Sequence, residues 1–320
     1  MRNAFATTFY ELAKADPRLA IVVADISPAG SLEKFRHEFP ERFVNTGVAE
    51  QVMIGMCAGM ALRGLRPFAY TIATFVLYRP FEFVRDDLCY QNLPVTVVGI
   101  GGGVTYSTLG GTHHAQEDVA IATALANMAV LAPCDPLETR EATRWCAGQE
   151  RGPVYLRLGR AGEPVLSGEA AEAWTFGQLR YLRRGADVCL LSYGPIMRMT
   201  LEVADRLQHE GVSVSVASVH TLKPLDVEGI VTALRAHSHV VVVEEMAPWG
   251  GLGPRVKEVA WDAGARCRID TFSLEDAFRH VYGTQGDLLA AHGLSIERIL
   301  ARLERAPRGR KTRARASRSR

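Results

Sequence analysis

Residues 45–63 read NTGVAEQVMIGMCAGMALR, a helical stretch in which one carboxylate, Glu50, stands in the first turn of a nearly uncharged segment. Small residues that let another backbone approach closely recur along it at Gly55, Ala58, Gly59 and Ala61. A helix this apolar is expected to be buried. Glu50 is then either a capping acid stabilised by the helix N-terminus or a carboxylate held in a pocket for a purpose.

Short β-rich runs flank this helix and alternate with helical stretches. They read LAIVVAD (19–25), RPFAY (66–70), PVTVVGI (94–100), MAVLAP (128–133) and PVYLRL (153–158). Such alternation predicts βαβ units and a largely parallel sheet flanked by helices. After an irregular stretch, the alternation of β-rich runs and helical stretches resumes, with the β-rich runs DVCLLSY, VSVSVASV and HVVVVEE. We therefore expect an α/β protein with two domains, 1–163 and 186–306, joined by a linker over 164–185.

Positive charge is concentrated at the C-terminal end of the chain. The last thirteen residues carry seven Lys or Arg, and removing them from the formal net charge of +2 leaves about −5. A basic surface for nucleic acid is therefore not expected on the folded part, and we expect no nucleic-acid partner. The basic tail, residues 307–320, lacks large apolar side chains and is expected to be disordered.

The cysteines and the apolar runs indicate a reduced, soluble protein. The six cysteines are scattered without a CxxC pair, which favours buried, reduced thiols in the cytoplasm over a zinc site or a disulfide framework. The first twenty residues read as an amphipathic helix rather than a signal peptide. No apolar run approaches the roughly 18 to 20 residues of a membrane span. We expect a cytoplasmic location and no membrane partner.

Two glycine runs do not form convincing phosphate loops. GIGGGV at 99–104 lacks the third glycine of the dinucleotide fingerprint, and GGLG at 250–253 is more typical of a tight turn between a strand and a helix. A Walker motif is also missing from the sequence. Nucleotide binding is therefore not predicted.

Several motifs, in order, resemble those of transketolases and deoxyxylulose-phosphate synthases. NTGVAEQ with MIGMCAGMA resembles the pyrimidine-domain signature, and TIATFVLY, GGTHHAQED, APCDPLE and GPVYLRLGR follow it. DVCLLSYG, TLKPLD and VVVEE followed by WGGLG resemble the transketolase C-terminal domain. The resemblance implies a thiamine-diphosphate-enzyme pyrimidine domain followed by a transketolase C-terminal-like domain.

The resemblance gives Glu50 a catalytic and cofactor-binding role. In the family this glutamate hydrogen-bonds N1′ of the cofactor's pyrimidine and drives it to the imino tautomer. The cofactor's own 4′-amino group can then take the proton from C2 of the thiazolium ring. Burial is expected to raise the pKa of the carboxyl group so that it can share that proton. The cofactor carries out the carbon-bond chemistry, and the protein orients it.

The resemblance also implies an apolar slot for the pyrimidine. Ile72, Phe75 and Tyr78 match the residues that line it, although the position of Ile72 is often aromatic in the family, and an aliphatic side chain there weakens stacking. Without the resemblance, aromatics at this spacing would be read as ordinary helix core.

Three further residues are implied in substrate binding. His113 matches the histidine that faces the reacting carbon, where an imidazole can hydrogen-bond or transfer protons to substrate oxygens, which is also a catalytic role. His114 stands where many transketolases have glutamine. Arg160 matches an arginine that binds the distal phosphate of the substrate, a role suited to its bidentate guanidinium.

Other sugar-contacting positions depart from the family pattern. Ala29 replaces a serine, Gly101 replaces a histidine that opens the glycine loop, and Leu109 replaces the aspartate that holds a hydroxyl of the donor. Three polar contacts are thus missing. The sequence leaves the substrate open among an unusual ketose, a 2-oxo acid and a carrier-bound acceptor.

The chain also lacks the GDG motif through which thiamine enzymes bind Mg²⁺ and the diphosphate. The resemblance therefore implies a split enzyme in which a GDG-containing N-terminal subunit supplies the Mg²⁺ ligands, with an α₂β₂ assembly. We expect thiamine diphosphate as the cofactor and transfer of a two-carbon ketol unit as the reaction. Three alternatives remain: a 2-oxo-acid dehydrogenase E1 β-like subunit, a noncatalytic binding subunit, and a polyanion-binding protein that uses the tail.

Overall fold

The structure is a computed structural model that describes residues 1–26 and 30–304, so Ala29 and the basic tail lie outside the described residues. The described part contains twelve strands in two sheets. The strands are β1 (Leu19–Val23), β2 (Phe43–Asn45), β3 (Arg66–Ile72), β4 (Thr96–Ile100), β5 (Ala129–Leu131), β6 (Val154–Leu158), β7 (Arg180–Arg183), β8 (Val188–Ser192), β9 (Val214–Ser218), β10 (Thr221–Lys223), β11 (His239–Val243) and β12 (Arg268–Phe272).

Twelve α-helices occur in the same residues. They are α1 (Arg2–Ala15), α2 (Ser31–Glu38), α3 (Glu50–Leu62), α4 (Ala73–Leu77), α5 (Phe81–Phe83), α6 (Asp118–Ala124), α7 (Pro136–Gly148), α8 (Met197–His209), α9 (Val227–Ala236), α10 (Leu252–Asp262), α11 (Gln285–Ala291) and α12 (Ile296–Glu304). Two 3₁₀ turns, Pro40–Arg42 and Gly111–His113, and a π-helix, Val84–Tyr90, complete the set. None of these helices is both long and apolar enough to cross a lipid bilayer.

The first sheet has the order β10-β5-β6-β4-β3-β1-β2. Strands β1 to β6 pair in parallel, and their central members are buried along their whole length, as expected of strands covered on both faces. The seventh strand, β10, comes from the second half of the chain and pairs antiparallel with β5. The sheet is therefore completed across the boundary that the sequence suggested.

The second sheet has the order β12-β11-β8-β9-β7. Strands β8, β9, β11 and β12 pair in parallel, and β7 is an antiparallel edge strand on β9. The α/β class with two largely parallel sheets flanked by helices is thus confirmed. Strand β7 lies within the stretch 164–185, so this stretch contributes an edge strand to the second sheet.

Helices cover both faces of each sheet. On one face of the first sheet, α1, α2 and α7 pack a core rich in aromatic rings, in which Phe9 lies 5.0 Å from Phe68 and 5.1 Å from Phe35, centroid to centroid. On the other face, α3, α4 and α6 contribute to a core that continues into the second sheet through Cys189 and Val240. Because one core spans both halves, burial of apolar area fixes how they sit together.

The segment that follows β3 is divided into α4, α5 and the π-helix. Two local features differ from the sequence-based expectation. The expected full burial of α3 is wrong, because Val52 is 56% exposed and Leu62 is 63% exposed on its outer face. Cys267 is half-buried, whereas the other five thiols are buried, and all six are free.

The two glycine runs serve packing in this fold. In GGLG, the Glu244 carboxylate accepts from the backbone N–H groups of Leu252 (2.7 Å) and Gly253 (2.8 Å), so it caps the start of α10 from inside the protein. This confirms the tight strand-to-helix turn. In GIGGGV, a side chain on Gly102 would collide with Arg157, and one on Gly103 would collide with Glu245. The glycine loop therefore lets the two halves approach closely.

A buried ion pair stands where the halves meet. Arg157 Nε on β6 donates to Asp118 Oδ2 at the start of α6 over 2.8 Å, and both side chains are almost completely buried. Arg157 Nη2 donates to the backbone carbonyl of Glu245 in the second half (3.1 Å), and Tyr155 Oη donates to the same Asp118 oxygen (2.8 Å). Buried charges are costly unless they are paired and hydrogen-bonded, so this arrangement constrains the junction strongly.

We predict that Asp118→Ala lowers the free energy of unfolding by about 3–5 kcal/mol, because Arg157 would be left buried without its partner. Glu202→Ala is the control, since the Arg198–Glu202 pair is exposed on both sides and should change stability by less than about 0.5 kcal/mol. Urea denaturation of the two variants measures the difference. Equal midpoints and slopes for the two would contradict a structural role for the buried pair.

Candidate active site

Glu50 is the first residue of α3 and is 3% exposed. The residue before it, Ala49, has no side chain that could cap the helix, and Glu50 Oε1 accepts from Arg79 Nη1 at 2.9 Å. The carboxylate is therefore directed at a neighbouring segment rather than at its own helix end. Arg79 follows α4 and its side chain is 44% exposed, so a buried acid is paired with a half-exposed base.

The residues of the predicted pyrimidine slot lie on and beside α4. Ile72 ends β3 as the residue before α4, and Phe75 lies within the helix; both are half-buried. The Phe75 ring centroid is 5.0 Å from that of His113, with the rings at 71°. The Arg79 guanidinium carbon lies 4.1 Å from the Phe75 centroid. One aromatic ring thus links the segment near Glu50 to the histidine loop.

Tyr78 lies at the C-terminal end of α4 and contacts a different partner. Its hydroxyl donates to Glu117 Oε2 (3.0 Å) and accepts from the Glu117 backbone N–H (3.2 Å). Burial, followed by the nearby Asp118 and Glu117 carboxylates, raises the pKa of Tyr78 far above its usual value. The phenol therefore stays protonated, and its two hydrogen bonds to Glu117 hold it in place.

His113 closes the 3₁₀ turn that follows Gly110, whose φ of 80° favours glycine. His113 Nδ1 lies 3.0 Å from Thr112 Oγ1. Partial burial lowers the pKa of His113, and the positive charge of Arg79 lowers it further. The imidazole is thus kept neutral near pH 7, the state in which one ring nitrogen accepts and the other donates.

Tyr106 was missed by the sequence reasoning. Its ring centroid lies 6.3 Å from that of His113 and 5.8 Å from the guanidinium carbon of Arg160. A side chain on Gly101 would collide with the Tyr106 ring, so this phenol fills the space beside Gly101. An aromatic residue soon after the glycine run was the only available signal.

Arg2 was also missed. Its Nε donates to the Tyr70 hydroxyl at 2.8 Å, and its charge, like that of Arg160, opposes the rise that burial causes in the pKa of Tyr106. The charges of two arginines from distant parts of the sequence therefore act on the same phenol. Nothing in the N-terminal sequence distinguishes Arg2 from an ordinary surface residue of an amphipathic helix.

The structure brings most of the predicted residues into one line of contacts, which runs Glu50, Arg79, Phe75, His113, Tyr106, Arg160. His114 makes none of these contacts; it is 2% exposed, and burial lowers its pKa. Leu109 is 50% exposed beside the histidine loop. The substrate-binding role of His114 stays a prediction, as do the roles of the other site residues.

The described residues fit an aminopyrimidine. Glu50 has a buried carboxylate oxygen that accepts a hydrogen bond from a nitrogen donor. That donor is the planar guanidinium of Arg79, which also lies over the Phe75 ring. The same geometry accepts a planar ring with one nitrogen toward Glu50 and one face toward Phe75. Within residues 1–26 and 30–304, no cluster of three or more His, Cys, Asp or Glu could hold a metal ion.

Comparison with known families accounts for this arrangement. Residues 1–162 match "Transketolase, pyrimidine binding domain", and residues 177–299 match "Transketolase, C-terminal domain". The chain belongs to the transketolase family. It contains the pyrimidine-binding and C-terminal domains of that family, in the order that the motifs implied.

Transketolase subunits of similar length are among its relatives. The chain is 32% identical over 298 residues to an apulose-4-phosphate transketolase subunit of Phocaeicola vulgatus, covering 93% of this chain and 94% of that one. It is 32% identical over 302 residues to a 6-deoxy-6-sulfo-D-fructose transketolase subunit of a Clostridium species, covering 94% and 92%. A solved "split gene transketolase, inactive beta4 tetramer" is 34% identical with a TM-score of 0.85, covering 95% and 97%.

We predict that Arg79→Gln raises the pKa of His113 in this transketolase subunit, because a positive charge that disfavours the imidazolium is removed. The His113 ring signal, followed by NMR across pH, measures the change. Arg85→Gln is the control, since Arg85 pairs with Asp86. A His113 titration that is the same in Arg79→Gln as in the parent protein would contradict the contact.

Proposed function

We propose that this chain is the pyrimidine-binding subunit of a two-component, thiamine-diphosphate-dependent transketolase that moves a two-carbon ketol unit from a ketose donor to an acceptor. The observation that carries the proposal is the buried Glu50 carboxylate, which is paired with an arginine that lies over Phe75, the ring in contact with His113. A carboxylate with this burial and direction suits proton sharing with a ring nitrogen.

Each residue of the line has a distinct role in this proposal. Glu50 holds a proton at N1′ of the pyrimidine, and Ile72, Phe75 and Tyr78 line the slot. His113, whose pKa is lowered chiefly by burial, hydrogen-bonds the substrate oxygens and exchanges protons with them. When bound, thiamine diphosphate supplies the nucleophilic carbon and the electron sink for carbon–carbon bond cleavage.

The far end of the line suits an anionic group on the substrate. Arg160 lies 5.8 Å from the centroid of the Tyr106 ring, and the charges of Arg160 and Arg2 both act on the Tyr106 hydroxyl, so this end of the line is positively charged. Guanidinium groups bind phosphate or sulfonate oxygens through paired hydrogen bonds. The two relatives carry an anionic phosphate or sulfo group in the names of their substrates, which supports an anionic sugar here. His114, next to His113 in the sequence, is proposed as a further substrate-binding residue.

A partner subunit completes the proposed enzyme. The sequence lacks GDG, so the ligands of Mg²⁺ and the diphosphate would come from a GDG-containing chain, in an α₂β₂ assembly in the cytoplasm. The exposed face of α3 supports this arrangement, because Val52 is 56% exposed and added side chains at Gly55 and Gly59 would meet nothing within 4 Å. Apolar helix faces of this kind are characteristic of subunit contacts. No observation favours acyl transfer by an E1 β-like subunit.

We predict that the isolated chain binds thiamine diphosphate weakly, because it offers the pyrimidine slot without the magnesium site. Calorimetric titration should detect tight binding only after the GDG-containing partner and Mg²⁺ are added. Tight, magnesium-dependent binding to this chain alone would show that the two-component proposal is wrong.

We predict that Glu50→Gln removes most cofactor activation while assembly is retained, because Gln keeps the shape but cannot hold the acidic proton. Hydrogen–deuterium exchange at C2 of the bound cofactor should slow by about 10²- to 10⁴-fold or more in the reconstituted complex. Glu82→Gln, at an exposed acid on α5, is the matched control. Exchange at the parent rate in Glu50→Gln would remove the catalytic assignment.

A further inference from the structure

Arg79 occupies both contacts that the proposed pyrimidine site offers. Its Nη1 donates to Glu50 Oε1 over 2.9 Å, and its guanidinium lies over Phe75 at 4.1 Å from the ring centroid. These are the carboxylate and the aromatic face that the aminopyrimidine would use. A guanidinium is planar, carries several N–H donors and stacks on aromatic rings, so it satisfies the two groups together.

The Arg79–Glu50 ion pair stabilises the free subunit by neutralising a buried charge. The Glu50 side chain is 4% exposed, and a carboxylate so buried is strongly unfavourable without a partner. Arg79 neutralises it from the surface, because the Arg79 side chain remains 44% exposed. The slot is therefore electrostatically satisfied before any ligand is bound.

The same contacts conflict with cofactor binding. A second planar group cannot lie on the face of Phe75 that Arg79 covers, and the Glu50 oxygen that would meet a ring nitrogen already accepts from Arg79 Nη1. Glu50 begins a thirteen-residue helix and Phe75 lies within another, so neither moves easily. Arg79 lies in the turn between α4 and α5, and rotation of its flexible, half-exposed side chain is sufficient to vacate the slot.

We propose that the Arg79 side chain occupies the pyrimidine slot of the free subunit and is displaced by the cofactor. In the free subunit it pairs with Glu50 and covers Phe75, and it leaves both when the cofactor binds. The inference rests on the proposed function of the slot. It adds that the affinity for the cofactor includes the cost of breaking the Arg79–Glu50 pair. Removing Arg79 should therefore strengthen cofactor binding, although it removes a stabilising contact from the free protein.

The first test is a calorimetric titration of thiamine diphosphate into the complex with the GDG-containing partner, at saturating Mg²⁺. Arg79→Ala should bind the cofactor roughly two- to fivefold more tightly than the parent, the range of a half-exposed ion pair. Arg79→Lys keeps the charge without the planar stacking and should fall between them. Arg85→Ala, at an exposed arginine paired with Asp86, should bind as the parent does. Unchanged or weaker binding by Arg79→Ala would overturn the inference.

The second test uses the full chain alone. Arg79→Ala should lower the melting temperature, because Glu50 is left buried without its partner, and adding Glu50→Gln to it should restore part of the loss. Such coupling in a double-mutant cycle is expected only if the two side chains interact. Additive effects would count against the inference even if every variant folds.

The two proposals fail in different ways. If Glu50→Gln abolishes C2 exchange but Arg79→Ala leaves the cofactor affinity unchanged, the occupant role of Arg79 is wrong and the slot assignment stands. If Glu50→Gln exchanges at the parent rate, the slot assignment itself is wrong, whatever Arg79 does.

Discussion

The ion pair between Asp118 and Arg157 is the constraint on which the site geometry depends. It joins the start of α6 to β6, and through the Glu245 carbonyl it joins both to the second half of the chain. The glycine loop passes directly over Arg157, and the absence of a side chain at Gly102 is what allows it. His113 lies at the far end of that loop. The buried pair therefore fixes the start of the loop that ends in the histidine turn.

The surface of the candidate site is cationic, whereas the rest of the folded chain carries excess acid. Arg2, Arg79 and Arg160 come from three separate segments of the chain. Each guanidinium lies against an aromatic ring or a phenol hydroxyl, and Arg79 is in addition paired with a carboxylate. Local positive potential of this kind concentrates anionic ligands near a site even when the net charge is unfavourable.

Much of the fold could be predicted from the sequence because periodicity is a local signal. The buried strands such as LAIVV and HVVVV appear where expected, as does the helix that begins with Glu50. What could not be predicted depends on contacts between distant residues. Strand β10 joins the first sheet by pairing with β5, and Tyr106 matters only because the ring occupies the space beside Gly101. Arg79 gave no signal, since an arginine before a proline reads as a turn residue.

Because β10 comes from the second half of the chain but belongs to the first sheet, the first half cannot form its complete sheet alone. Strand β10 is only three residues long, yet it covers the outer edge of β5, which would otherwise present unpaired N–H and C=O groups. A chain cut within residues 164–176 would lose β10 from its N-terminal fragment and expose that edge together with the shared apolar core. Such a fragment would be prone to strand-to-strand self-association. Gene fusions and truncations of this protein should therefore keep residues 1–223 on one polypeptide.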